Sequence, residues 1–276
     1  MGKNGAVSTL LSALNDEQRA AAECLDGPVV IRAGAGTGKT RTITHRIAHG
    51  VQQGRFDPGA TLAVTFTTRA AGELRSRLQA MGAGSVQVRT FHSAALRQLR
   101  YFYPQVFKKD FPRLISNKTN LVQEALASCG LPTDRDMIRD TASQIEWAKV
   151  NILSPQAYQA SAVPHSMDAS VVARAYEAYL DLLDARNIID FEDCLLYTLA
   201  MLTQYEEIAL QVQRQYRSFT VDEFQDVSPV QYELLRAWLG QRDDLCVVGD
   251  PTQTIFSDRK STRLNSSHVK RSRMPS

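Results

Sequence analysis

The sequence predicts an α/β fold in which a parallel sheet is interrupted by an inserted helical region. Apolar segments of strand length alternate with helix-like segments over roughly the first hundred residues. The following stretch reads as helices, and strand-like segments return at 218–221 and 245–248. Alternating strands and helices are typical of parallel sheets with crossover helices.

The first part of the chain supplies the clearest elements. Val29-Val30-Ile31 lies in a predicted buried strand that runs into a Gly-rich turn. The predicted elements alternate strand and helix in this order: 28–33, 39–52, 61–66, 69–80, 86–89, and a last helix through Leu99.

The region 101–202 reads as helices without convincing strands. Within it, Tyr176, Tyr179, Leu180 and Leu183 recur at helical spacing. Such a stripe predicts the core-facing side of a helix rather than a binding surface.

Composition excludes several classes of protein. The chain has 276 residues, 43% of them hydrophobic, so it can bury a core. No apolar run could span a bilayer, and residues 1–14 do not resemble a secretory signal, so we expect a cytoplasmic protein. The four cysteines are widely spaced, which favours reduced thiols over a zinc site or disulfides.

The net charge of +3 arises in the last nineteen residues. Residues 258–276 hold six of the 32 basic residues and one of the 29 acidic residues, which leaves 26 basic and 28 acidic residues elsewhere. Overall charge therefore says nothing about nucleic-acid binding, and any basic surface must be local.

The Gly-rich turn fits a phosphate-binding loop, with alanine where the first glycine usually stands. Its residues are Ala33, Gly34, Ala35, Gly36, Thr37, Gly38, Lys39 and Thr40. Small residues allow backbone N–H groups to surround phosphates at a helix N-terminus. We expect Lys39 to reach the β and γ phosphates and the Thr40 hydroxyl to bind Mg²⁺.

Two adjacent carboxylates end the strand-like segment near residue 221. Asp222 is expected to hold Mg²⁺, and Glu223 to polarise the attacking water. In parallel sheets ligands bind at the carboxyl edge, so both should converge with Lys39 on one triphosphate. No Asn-Lys-x-Asp element is present, which disfavours a GTPase.

Further blocks show a family resemblance. They are Leu14-Asn15-Asp16-Glu17-Gln18, Arg41 after the loop, 65–71, Thr90-Phe91-His92-Ser93, Val221-Asp222-Glu223-Phe224-Gln225-Asp226, and 248–257. In this order they resemble the superfamily 1A DNA helicases of the UvrD/Rep/PcrA type over 14–257. The amino-acid sequences of several blocks are similar to those of a UvrD-like branch found in actinobacteria.

The resemblance implies a role for individual residues. Gln18 would read the adenine edge and select ATP, Arg41 would lie near the nucleotide, and Gln253 would sense the γ-phosphate. Phe66 and Phe256 match positions that face single-stranded DNA, where stacking suits a motor that grips any sequence. The alternative is that the rings of Phe66 and Phe256 pack in the core and do not face DNA.

Arg69 and His92 are candidate contacts to the DNA backbone, although either could be a simple surface or core side chain. The implied partners are single-stranded DNA and duplex junctions, and the implied cofactors are ATP and Mg²⁺. Asp190-Phe191-Glu192-Asp193 resembles a family block for which we expect a structural role.

The resemblance also implies domain boundaries. A RecA-like core 1A would comprise 1–100 and 206–257, the helical subdomain 1B would comprise 101–205, and 258–276 would be a disordered tail. That tail resembles one reading frame of a sequencing adapter, so we interpret it as an assembly artefact that truncates the reading frame at about Ser257. The alternative is a basic nucleic-acid-binding tail.

The sequence therefore predicts the motor of an ATP-dependent 3′-to-5′ DNA helicase without its second core. Such a fragment is expected to bind ATP weakly, hydrolyse it poorly and unwind nothing, because the family supplies arginines from the second core. The alternatives are the motor part of a helicase–nuclease and a non-catalytic, nucleotide-dependent DNA-binding module.

Overall fold

The computed structural model describes residues 10–34, 36–161, 167–250 and 270–273. The helices are α1 (Asp16–Glu23), α2 (Lys39–Gln52), α3 (Thr68–Ala80), α4 (Phe91–Phe107), α5 (Thr119–Ser128), α6 (Arg135–Val150), α7 (Pro155–Gln159), α8 (Ala169–Ala185), α9 (Phe191–Gln204), α10 (Glu206–Gln215) and α11 (Pro229–Leu239). The strands are β1 (Val29–Arg32), β2 (Thr61–Thr65), β3 (Gln87–Thr90), β4 (Arg113–Leu114), β5 (Ile188–Ile189), β6 (Ser218–Val221), β7 (Leu245–Gly249) and β8 (Lys270–Arg273).

The main sheet has the strand order β3-β2-β6-β7-β1-β8, and every neighbouring pair is parallel. All its carboxyl ends therefore meet at one edge. The predicted α/β fold with a parallel sheet is confirmed. The predicted strand and helix positions between 28 and 99 agree with the structure to within a few residues, except that α4 continues through Pro104 to Phe107.

The chain forms two compact units. The first comprises the described parts of 1–93, 207–227 and 236–276, and the second comprises 94–206 and 228–235. The main sheet belongs to the first unit, where Val29, Ile31, Ile43, Ile47 and Val248 lie in one buried cluster. Burial of such apolar side chains holds the helices against the sheet.

The second unit is mainly helical, and its core includes Val122, Ile145 and Tyr158. Tyr176, Tyr179 and Leu183 of the predicted stripe are buried in it, and Leu180 is half-buried against it. The expectation of no strands here was wrong, because β4 and β5 pair in parallel. Two-residue strands carry no periodicity that a sequence can show.

The edge of β1 is paired as well. Lys270–Arg273 form β8 and pair in parallel with Val29–Arg32. Four residues of the tail predicted to be disordered are thus a strand, because the open edge of β1 offers backbone N–H and C=O groups to any segment. The rest of that tail lies outside the described residues.

Within the described part of the chain, no helix combines the length and apolar character that crossing a membrane requires.

Candidate functional site

The loop that is predicted to bind phosphate joins β1 to α2. Ala33 is buried, and its backbone N–H donates to the Gly249 carbonyl of β7 at 3.2 Å. Thr37 closes the loop on itself, since its Oγ1 donates to the Gly34 carbonyl at 2.8 Å. Ala35 lies outside the described residues. The described loop is therefore anchored to the sheet on one side and closed by its own threonine on the other.

Glycine is required where the loop enters α2. Gly38 caps the helix with φ 84°, and a Cβ there would lie 2.8 Å from the Gln18 amide nitrogen. Gly36 also has a positive φ, of 75°. Only glycine adopts such angles without strain, so the helix N-terminus stays open to an anion.

Gln18 ties α1 to this loop. Its Nε2 donates to the Thr37 carbonyl at 2.9 Å, and its Oε1 accepts from the backbone N–H of Asn15 at 3.2 Å in a capping box. The side chain thus supports the loop directly, a contact that the sequence analysis missed. Arg41 is exposed and donates to the Ala13 carbonyl at 2.6 Å.

Lys39 and Glu223 are brought into contact although 184 positions separate them. Lys39 Nζ donates to Glu223 Oε2 at 2.7 Å, and their side chains are 9% and 40% exposed. The predicted convergence of the loop and the acidic strand end is thus present, because β1 and β6 both flank β7 in parallel. The pair faces solvent on the carboxylate side.

Glu223 has an unusual backbone. Its φ of 49° and ψ of 44° lie in the left-handed region, which a residue with a Cβ enters at a cost of about 1 kcal/mol or more. Burial raises the pKa of its carboxyl, but hydrogen bonds from Gln225 and Lys39 and the charge of Lys39 outweigh that effect. The pKa therefore lies below its usual value, and Glu223 is held ionised.

Asp222 is more deeply enclosed than Glu223. Its backbone N–H donates to the Val64 carbonyl of β2 at 3.0 Å, which fixes it to the sheet. Burial raises the pKa of its carboxyl to about 6, and the neighbouring Glu223 carboxylate adds to the rise. A buried carboxylate of this kind gains from a cation placed beside it.

Gln225 joins this group, and the sequence analysis gave it no role. Its Nε2 donates to Glu223 Oε2 at 2.9 Å, and its Oε1 accepts from the backbone N–H of Asp250 at 3.1 Å. Its position in the acidic block, two residues after Glu223, was the only available signal. The contact itself depends on how β7 approaches β6.

The DNA-contact candidates follow neighbouring strands at the same sheet edge. Phe66, after β2, is half-buried and packs edge-to-face with Phe91 at a centroid distance of 6.0 Å. Arg69 is exposed and its Nε donates to Glu73 at 3.3 Å. His92, in the first turn of α4, is half-buried. Gln253 and Phe256 lie outside the described residues.

Comparisons with known proteins agree with this arrangement. Residues 14–272 match the UvrD/REP helicase N-terminal domain. The chain is 46% identical over 264 residues to ATP-dependent DNA helicase UvrD2 of Mycobacterium tuberculosis (strain ATCC 25618 / H37Rv), covering 90% of this chain and 38% of that protein.

Two proteins named ATP-dependent DNA helicase PcrA are also similar. The one from Leuconostoc citreum is 34% identical, covering 94% of this chain and 35% of that protein. The one from Bacillus subtilis (strain 168) is 32% identical, covering 93% and 35%. The chain thus spans less than two fifths of the length of each of these relatives. It belongs to the UvrD/REP helicase family, whose N-terminal domain it contains.

Proposed function

We propose that this chain is the ATP-binding and ATP-hydrolysing part of a DNA helicase that moves along single-stranded DNA. The observation that carries the proposal is the contact of Lys39 with Glu223 at the carboxyl edge of the parallel sheet. Relatives named ATP-dependent DNA helicases support the same substrate and the same energy source.

ATP binding requires this ion pair to open. The triphosphate lies along the loop from Ala33 to Arg41, with Lys39 moving from Glu223 to the phosphate oxygens. Its separation from Glu223 leaves that carboxylate free for a water molecule. Gln18, already bonded to Thr37, keeps a second amide hydrogen that can serve the adenine edge.

The residues fit a magnesium ion bound with the nucleotide. Mg²⁺ prefers oxygen ligands, often one or two protein groups together with phosphate oxygens and waters. Asp222 is a buried carboxylate whose pKa is raised by burial and by the neighbouring Glu223, so a cation beside it would stabilise its charge, and Thr40 supplies a hydroxyl. Among the described residues no group of three His, Cys, Asp or Glu side chains is arranged to hold a metal ion, and a nucleotide-dependent site needs none. When bound, Mg²⁺ would neutralise the developing phosphate charge.

Hydrolysis then uses Glu223 as the group that orients and deprotonates water. The water oxygen attacks the γ phosphorus, its proton passes to the carboxylate, and the bond to the β–γ bridging oxygen breaks with the electron pair leaving on ADP. The products are ADP and inorganic phosphate. Gln253 is proposed to sense the γ-phosphate.

Coupling to DNA is proposed for Phe66, Arg69, His92 and Phe256. Phe66, half-buried after β2, keeps part of its surface accessible, on which a base can stack. The same edge that binds the nucleotide then carries the DNA contacts, so that hydrolysis can alter the grip. A 3′-to-5′ direction and duplex junctions as substrates are proposed from the family alone.

The test measures ATP hydrolysis with and without single-stranded DNA in the complete gene product. We expect stimulation by DNA, a loss of about 100-fold or more in turnover for Glu223→Gln, and weaker DNA binding for Phe66→Ala with unchanged ATP affinity. If Glu223→Gln hydrolyses ATP as fast as the unmodified protein, the proposed hydrolysis is wrong. ATP binding without any turnover would instead favour the non-catalytic module.

A further inference from the structure

The side-chain amide of Gln225 is fully engaged within the acidic block. It lies in a single 3₁₀ turn, Phe224–Asp226, directly after Glu223. Its Nε2 donates to Glu223 Oε2 at 2.9 Å and to Asp226 Oδ2 at 3.3 Å. Its Oε1 accepts from the Asp250 backbone N–H at 3.1 Å. Two carboxylates on one side and a backbone donor on the other allow one amide orientation.

The backbone N–H of Asp250, which donates to the side-chain carbonyl oxygen of Gln225, is held in place by the sheet. Asp250 follows β7, which is paired on both sides, with β1 and with β6. At Gly249 a Cβ would lie 2.6 Å from Gln225 Oε1 and 3.3 Å from the Gln225 backbone nitrogen. The end of β7 therefore approaches Gln225 at a distance that leaves no space for a side chain.

Lys39 and Gln225 donate to the same oxygen of Glu223, at 2.7 Å and 2.9 Å. In the proposed reaction Lys39 leaves for the phosphates, whereas nothing in that step displaces Gln225. A 40% exposed carboxylate would then be free to change rotamer without it. A general base must hold its geometry to within a fraction of an ångström to act well.

We propose that Gln225 is a positioning residue for ATP hydrolysis, which fixes the Glu223 carboxylate to the end of β7 once Lys39 has moved to the triphosphate. The inference rests on the proposed function. Gln225 acts through Glu223 and does not touch the phosphates, so it should affect turnover and leave ATP affinity unchanged.

The experiment compares three variants in the complete gene product. Gln225→Met keeps the length of the side chain without its amide, and Gln225→Glu keeps an acceptor for Asp250 but loses the donor to Glu223. Gln213→Met is the matched control, because Gln213 is also half-buried and its Nε2 donates to the Ala237 carbonyl at 3.0 Å.

We expect both Gln225 variants to lower kcat by about 10- to 100-fold, with KM and the Kd of a fluorescent ATP analogue within about twofold. Gln213→Met should leave kcat within about twofold.

A double-mutant cycle separates positioning from a general structural role. In a Glu223→Gln background, single-turnover hydrolysis should be no slower when Gln225→Met is added, since the group that Gln225 positions is already lost. Gly249→Ala should reproduce part of the kcat loss by displacing the amide. Preserved ATP binding shows that each variant is folded.

Three outcomes would overturn the inference. Unchanged kcat in Gln225→Met would do so, and so would an equal loss with and without Glu223→Gln, or a rise in KM that accounts for the whole loss. In each of these cases the unmodified protein still binds and hydrolyses ATP, so the proposed function stands. If the unmodified protein neither binds nor hydrolyses ATP, the proposed function fails and the inference fails with it.

Discussion

Two lysines of this chain each face acidic side chains, but their surroundings differ. In the helical unit, the fully buried Lys149 donates to Asp190 and Asp193, both at 2.7 Å. In the sheet unit, Lys39 donates to Glu223 at 2.7 Å, and that carboxylate is 40% exposed. A lysine with acidic partners thus forms an enclosed ion cluster in the helical unit and a solvent-exposed ion pair in the sheet unit.

The partners of Lys149 are also bound to one another. Tyr179 donates its hydroxyl to Asp190 Oδ2 at 2.9 Å, and Asp190 and Asp193 form the capping box at the start of α9. Opposite charges raise the pKa of Lys149 despite its burial, so the lysine stays charged. Lys149, Tyr179, Asp190 and Asp193 thus all have partners inside the helical unit. These contacts support the structural role expected for the Asp190 block, which stays a prediction.

The largest expected effect is on stability. We expect Lys149→Met to lower the free energy of unfolding of the helical unit by about 3–5 kcal/mol, because two buried carboxylates lose their cation. Lys39→Met should cost less than about 1 kcal/mol, since solvent reaches Glu223. Urea unfolding followed by Trp147 fluorescence in a Trp238→Phe background reports on the helical unit, and Trp238 fluorescence in a Trp147→Phe background reports on the sheet unit that holds Lys39, as the chain has two tryptophans. Equal costs for the two lysines would remove the distinction between the clusters.

The cost of Asp193→Asn should depend on pH. Burial raises the pKa of Asp193 from 3.8 to about 6, with Lys149 opposing the rise and Asp190 adding to it. Between those values the folded chain binds the proton more tightly than the unfolded chain, so its stability falls as pH rises. Asparagine does not titrate, so the variant does not share this loss of stability. The free-energy cost of the substitution should therefore be smaller at pH 7 than at pH 4, by about 1–3 kcal/mol. A cost that grows with pH would show that the carboxyl has a lowered pKa.

Removing one hydroxyl from the buried cluster should have a smaller effect. We expect Tyr179→Phe to cost about 1–2 kcal/mol in urea unfolding, because the hydroxyl donates to a charged, buried acceptor. Tyr176→Phe is the control, since its hydroxyl donates to the Leu153 carbonyl at 3.3 Å. It should cost about 0.5–1 kcal/mol. The reverse order would mean that the cluster draws little stability from Tyr179.

The smallest effect is expected at the open pair. Glu223→Gln removes the partner that Lys39 must leave, so ATP should bind about two- to fivefold more tightly. The measurement is a titration with a fluorescent ATP analogue, and Glu124→Gln, in an exposed pair with Arg186, serves as the control. Weaker binding in Glu223→Gln would indicate that the carboxylate supports the nucleotide rather than competing for Lys39.

The same contrast shows what sequence could predict. β1, the loop and α2 were predicted because a buried apolar strand, a run of small residues and a Lys-Thr pair are adjacent in the chain. The convergence of Lys39 with Glu223 followed from parallel strands sharing one carboxyl edge. Local pattern and simple topology were sufficient there.

The contacts that the sequence did not predict depend on how elements distant in the chain pack against one another. The bond from Gln225 to Asp250 requires β7 to lie close against the acidic block, and Gln18 reaches Thr37 only once α1 has packed near the loop. Lys149 contacts Asp190 at the start of a helix that is well separated from it in sequence. No periodicity or spacing encodes these contacts, because each side chain could equally face solvent.

Lys39 is proposed to exchange Glu223 for the phosphates of ATP. The most direct measurement is calorimetric titration of ATP with Mg²⁺ into the unmodified chain, Lys39→Met and Lys118→Met, the last removing a lysine paired with Glu146 and Glu192 in the helical unit. We expect binding to weaken by about 10- to 100-fold in Lys39→Met alone, as a charge-assisted contact to phosphate is lost. Equal affinity in all three proteins would contradict the account.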